Sequence, residues 1–159
     1  MYKRFAFEGD VHASLECVPL TVRRKLDLAG LKISLVGWQT LTRAERLALC
    51  HLPVDEDDEV EVYREVYRSF ADRAGVPLKP LPDAGMSTRP WLAAAPPEAV
   101  RARVALLGCE VDLDRWPALD EESRYALLKL SDPKKDVWKL RAALGELGML
   151  PGDGVRADA

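Results

Sequence analysis

No run of apolar residues in this 159-residue sequence approaches the roughly 20 that a membrane-spanning helix needs. The opening MYKRFAFEGDVHASLEC carries basic residues but no apolar core of a secretory leader, so a cytoplasmic protein is expected. Cysteine is scarce: Cys17, Cys50 and Cys109 are an odd number at wide, unpatterned spacing, which supports neither a disulfide framework nor a zinc knuckle. Reduced thiols and no bound metal are expected. Histidine is scarcer still, with only His12 and His51 to carry acid–base or nucleophilic work. Cys50 and His51 are adjacent, and neighbours on a helix point in different directions and cannot face one another. There is no Gly-rich phosphate loop, histidine–glutamate zinc motif or CxxC pair, and the acidic run Asp55 to Glu59 lacks the closing Glu of a calcium loop. Basic excess is missing as well. With 23 Lys and Arg against 26 Asp and Glu, the net charge of -3 gives no general attraction to nucleic acid or anionic membrane. The residues assign no catalytic group and no cofactor.

What is present is self-similarity. The segment VPLTVRRKLDLAGLKISLVGWQTLTRAERLALCHL lines up without a gap on PPEAVRARVALLGCEVDLDRWPALDEESRYALLKL. Pro19 falls on Pro97, Val22 on Val100, Gly30 on Gly108, Trp38 on Trp116, Arg46 on Arg124 and Leu49 on Leu127. The matched positions are those that helix physics selects. Pro19 and Pro97 suit a helix start, where the missing N–H is not needed, and Gly30 and Gly108 suit the position just past its end. Ser34 is replaced by Asp112 and Thr42 by Asp120, one N-capping side chain by another, and Thr42 with Glu45 makes a capping box. Each copy, about 18–53 and 96–131, therefore reads as helix, one-turn helix with Trp, helix. Val22, Leu26 and Ala29 form one apolar stripe and Val100, Val104 and Leu107 the other, and the two stripes are expected to meet. Arg23, Arg24 and Asp27 point away from the first stripe. Trp38 and Trp116 are core anchors whose indole N–H groups need partners.

Between the copies, DEDDEVEVYREVYRSFADRAG reads as one longer helix starting at Asp55 or Asp57 and ended by Gly75. Val62, Tyr63, Val66, Tyr67, Phe70 and Ala74 make a broad apolar side, and Glu61–Arg64 and Glu65–Arg68 can pair on the wet side. The stretch from Val76 to Pro97 is too rich in Pro and Gly for regular structure, and Trp91 tacks it down. A last helix is expected from Asp132 and Pro133 to Gly148. The predicted class is all-α: one compact helical domain over 1–150, with a duplicated unit split by a longer helix and a Pro-rich loop, and a disordered tail over 151–159.

Charge distinguishes the copies. Arg23, Arg24, Lys25, Lys32, Arg43 and Arg46 make the first basic, whereas Glu98, Glu110, Asp112, Asp114, Asp120, Glu121 and Glu122 make the second acidic. Each is either a solvated face or, for the basic one, a surface that docks an acidic partner or an anionic cofactor. Cys17 stands just before the Pro19 helix in an arm that the alignment does not include, and a thiol near a helix N-terminus and basic groups can gain reactivity. Cys50 and Cys109 align with Leu128 and Leu31, as small core residues would.

The arm FAFEGDVHASLECVPLTVRRKLDLAGLKISLVGW, with LTRAERLALCHLP and the later ALLKLS, resembles the nitrate reductase-associated proteins, small bacterial and cyanobacterial proteins linked to assimilatory nitrate reductase. Cys17, Val18, Pro19, Val22, Arg23, Lys25, Leu26, Asp27 and Gly30 carry most of the likeness, which runs from about Phe5 to Leu147. The linker departs from it, being longer and richer in Ala and Pro. The resemblance implies a non-enzymatic maturation or assembly factor with the nitrate reductase catalytic subunit as partner. Cys17, Arg23, Lys25, Lys32 and Arg46 would then contact the immature enzyme or its bound pterin phosphates. A nitrogen-assimilation regulator acting through protein or DNA, and a small thiol-dependent enzyme using Cys17, are the alternatives.

Overall fold

Side-chain caps at Ser34, Thr42, Asp112 and Asp120 start four of the helical elements of this chain, which a computed structural model describes over residues 2–80 and 89–152. Apart from one two-stranded sheet, the elements among the described residues are helical. They group into two compact units, Met1–Arg4 with Glu8–Thr88 and Phe5–Phe7 with Arg89–Ala159.

The first unit runs α1 (Val11–Ser14), α2 (Leu20–Leu28), β1 (Leu31–Lys32), α3 (Leu35–Thr40), α4 (Arg43–His51), α5 (Asp57–Ala74) and β2 (Lys79–Pro80). Pro19 is the N-cap of α2, and Gly30 follows that helix at φ 70, a left-handed conformation that costs glycine nothing sterically. Ser34 accepts from the Gly37 N–H at 3.0 Å to start α3. The Thr42–Glu45 capping box starts α4 as expected, and a second box, Glu56 with Glu59, starts α5. Along α5 the buried stripe is Val60, Tyr63, Tyr67 and Ala71, near-helical spacing that leaves Val62 55% exposed. The expected broad apolar side is therefore narrower, because Val62 is rotated about 100 degrees from Tyr63 around the helix axis. Arg64 and Arg68 pair with Glu61 and Glu65 as expected.

Trp38, Leu49, Tyr63 and Tyr67 are wholly buried with Val22, Leu26 and Ala29 in the core of this unit. Each such aliphatic side chain is worth about 1.5–3 kcal/mol when taken out of water. The sheet was not anticipated. Leu31 and Ile33 are buried with Lys32 exposed between them, the alternation of a strand, and β1 pairs antiparallel with β2, Leu31 opposite Pro80 and Lys32 opposite Lys79.

The second unit holds the 3₁₀ turn Pro90–Leu92, α6 (Glu98–Ala105), the 3₁₀ turn Leu113–Ala118, α7 (Glu121–Leu130) and α8 (Val137–Glu146). Pro97 caps α6, Gly108 follows it at φ 65, Asp112 accepts from the Asp114 N–H, and Asp120 caps α7 from the Ser123 N–H at 2.8 Å. The Trp116 segment is a 3₁₀ turn where the Trp38 segment is an α-helix. Pro117, which has no N–H to give to an α-helical ladder, occupies the position aligned with Gln39. Ala6 and Phe7 donate their N–H groups to the Glu146 carboxylate, tying that piece of the arm to the end of α8.

Val22, Leu26 and Ala29 are buried within the first unit, and in the second Val100 and Val104 pack with Trp116, Leu127, Leu140 and Leu144. Several expectations are corrected here. The last helix starts at Val137, not at Asp132 and Pro133. Asp132 instead accepts from the Lys134 N–H through its side chain and from Lys135 through its carbonyl, so the Asp–Pro pair builds a turn. Cys109 is exposed rather than a core residue, because no strand forms there to turn it inward as β1 turns Leu31. The Pro-rich connection is not wholly irregular, since it contributes β2 and the turn bearing buried Trp91, which donates to Glu121 at 3.0 Å. The rest of that loop, 81–88, and the expected tail beyond Gly152 lie outside the described residues.

Candidate functional site

A helix leaves its last carbonyls without intrahelical partners, and cations are the natural groups to meet them. Four basic residues of the first unit, Lys25, Arg43, Arg46 and Arg64, donate to backbone carbonyls. Lys25, 5% exposed, donates from Nζ to the Cys50 carbonyl at 2.6 Å and to the Leu52 carbonyl at 2.5 Å, closing the end of α4. Arg46 donates to the carbonyls of Trp38, Leu15 and Gln39 at 3.0, 3.1 and 2.6 Å. Arg43 reaches the Ser14 and Ala13 carbonyls at the end of α1, and Arg64 the Ala29 carbonyl at the end of α2.

Lys25, read in the sequence as part of a basic face that contacts a partner, is buried. Its ammonium is inside the unit. Arg46 is half-buried and occupied by backbone, and Arg24, expected to point away from the core, is buried. Of the candidate set, Arg23 is half-buried on α2, Lys32 is exposed on β1, and Cys17 is exposed in the loop between α1 and α2.

Both tryptophan anchors are wholly buried. The Trp38 indole donates to the Leu15 carbonyl at 2.7 Å and the Trp116 indole to the Ala93 carbonyl at 2.9 Å. Leu15 and Ala93 stand at the same spacing as the tryptophans themselves. The arm around Leu15, treated in the sequence as having no counterpart, thus has one in bonding.

The remaining candidates for chemistry are held by structural contacts. His12 Nε2 lies 3.0 Å from Glu8 Oε1, while Glu8 Oε2 accepts from the Leu20 N–H and so starts α2. Tyr2 stacks edge-on against His51 at 4.7 Å between ring centroids. Burial pushes the Cys50 thiol up, against the opposing pull of Tyr2 and Lys25, so at neutral pH it stays a thiol. Burial likewise opposes ionisation of Glu45, but hydrogen bonds from Arg73 and from Thr42 outweigh it and hold the carboxyl below its usual range. Among the described residues no cluster of His, Cys, Asp and Glu could hold a metal ion, and no helix is long and apolar enough to cross a membrane.

One concavity of the first unit combines outward charge with apolar surface. A hollow of about 170 Å³ is lined by Lys32, Ile33, Val36, Gly37, Val76 and Lys79 among others. A Cβ on Gly37 would stand 3.0 Å from a Val76 methyl, so this glycine lets α3 and the segment after α5 close the floor. Sequence reasoning missed Lys79, Val36 and Val76. The available signal was that Val76 and Lys79 each precede a proline, which favours extended backbone.

Fold and site define a small helical protein that sets Lys25, Arg46 and Arg64 on backbone carbonyls and keeps a two-lysine hollow outside. Residues 4–147 match the conserved nitrate reductase-associated proteins, and the chain belongs to this family. Comparison with curated proteins and with solved structures gives no match.

Proposed function

We propose that the protein is a non-enzymatic maturation or assembly factor through which an assimilatory molybdenum nitrate reductase reaches its active form in the cytoplasm. Membership of the nitrate reductase-associated family over residues 4–147 carries this reading. The residue chemistry supports it. His12 is committed to Glu8, Cys50 is buried as a thiol, and Lys25, Arg46 and Arg64 serve as backbone clamps. Such a molecule acts by presenting a surface. Arg23, Lys32 and Cys17 remain its candidate contacts with the reductase, without Lys25 and Arg46.

Deleting the gene and growing the host on nitrate tests the proposal. The expected result is lowered nitrate reductase activity with an unchanged reductase transcript, and co-purification of the protein with the catalytic subunit. Unchanged activity overturns it. A lowered transcript would instead establish a regulator. Loss of function in Cys17→Ser with retained binding would establish thiol chemistry.

A further inference from the structure

Lys32 and Lys79 are directly opposite one another in the β1–β2 pair, and both line the same hollow. Residues opposite in an antiparallel pair have Cβ atoms only about 4.5–5.5 Å apart on one face, and like charges so placed repel. Among the described residues neither ammonium has an ion-pair partner. Among the described residues this like-charge pair is left uncompensated, whereas Arg64, Arg68 and Arg73 of the same unit pair with Glu61, Glu65 and Glu45, and Lys25 and Arg46 donate to carbonyls. Beside the pair lie Val36, 74% exposed on α3, Val76 and Pro77. At about 170 Å³ the hollow falls below the roughly 300 Å³ at which small-molecule and cofactor sites begin. It has room for side chains.

We infer that this hollow docks an acidic–aliphatic segment of the nitrate reductase polypeptide, with one carboxylate shared by Lys32 and Lys79 and a neighbouring aliphatic side chain against Val36 and Val76. The inference rests on the functional reading above and adds the surface and the chemistry of what it receives. Docking relieves the lysine–lysine repulsion, removes exposed valine from water and gives the contact its charge specificity.

Binding of the purified chain to the purified catalytic subunit of the reductase tests this. Lys32→Glu with Lys79→Glu is expected to weaken binding by about tenfold or more, since like charges then face each other across the interface. Val36→Asp, on an exposed position, is expected to weaken it as well. Lys134→Glu with Lys135→Glu, exposed in the second unit, should leave it unchanged. Circular dichroism should give the same helical signal for every variant. Equal affinity of the Lys32/Lys79 double variant and the unaltered chain overturns the docking site and leaves the functional reading intact. Failure of the unaltered chain to bind the subunit also overturns the docking site, and the deletion phenotype then decides the functional reading alone.

Discussion

Arg46 lies with its guanidinium 5.9 Å from the centroid of the Trp38 ring and donates from Nε to the carbonyl of that same tryptophan at 3.0 Å. The Leu15 carbonyl takes both the Trp38 indole and a second Arg46 nitrogen, so arginine, tryptophan and the end of α1 are locked together. In the second unit Arg124 repeats the relationship with Trp116, 5.7 Å from the ring and 3.2 Å from the carbonyl, and also reaches the Pro117 carbonyl. A planar guanidinium suits this task. Its flat face can lie over an aromatic ring while its edge donates to several oxygens in fixed directions, a planar fork that an ammonium lacks.

Arg46→Lys and Arg124→Lys should therefore each destabilise the fold, by about 1–3 kcal/mol on the scale of charge-assisted hydrogen bonds. Urea denaturation followed by circular dichroism measures this, with Arg23→Lys as the comparison. Equal midpoints for Arg46→Lys and Arg23→Lys would show that the clamp contributes nothing and would return Arg46 to the surface set.

Lys25→Met keeps the side-chain length and loses the ammonium, leaving the Cys50 and Leu52 carbonyls without that donor. The expected cost is about 1–3 kcal/mol, that of unsatisfied buried acceptors. Thermal melting reads the loss. Full stability combined with lost reductase association would instead mark Lys25 as a docking residue, contrary to its burial.

Glu45 gives the stability a pH dependence. Its folded pKa is held below the unfolded value despite burial, through Arg73 and Thr42, so the native state favours the ionised form. A depressed carboxyl contributes stability in full above its unfolded pKa and loses it as pH falls through the folded one. Glu45→Gln should accordingly lower the melting temperature at pH 7 and narrow its deficit as the pH drops below about 4.3, the ordinary glutamate value. A deficit that stays constant from pH 7 to pH 3 would assign the effect to packing.

Helix starts and ends were legible in the sequence because the bonds that make them are short. Thr42 reaches Glu45, Asp120 reaches Ser123, and glycine at positions 30 and 108 needs only its own backbone. The one misplaced start, Asp132–Pro133, failed for a related reason: the same residues that cap a helix also build a turn, and only the chain beyond them decides which. The candidate site was far less legible. Arg46 accepts its role from oxygens as many as 31 residues away, Lys25 from 25 and 27, and Arg64 from 35. A run of cations reads as a basic face when those oxygens are out of view.

Local hydrogen bonding and apolar spacing, which operate over three or four residues, are written in the chain itself, and they determined the helices, the burial of both tryptophan anchors and the likeness to the family. The destination of each charge was decided only by tertiary structure, because a lysine's surroundings depend on which distant carbonyl or strand folds beside it. Lys25 went inward to the end of α4, while Lys32 was set against Lys79 at the mouth of a hollow.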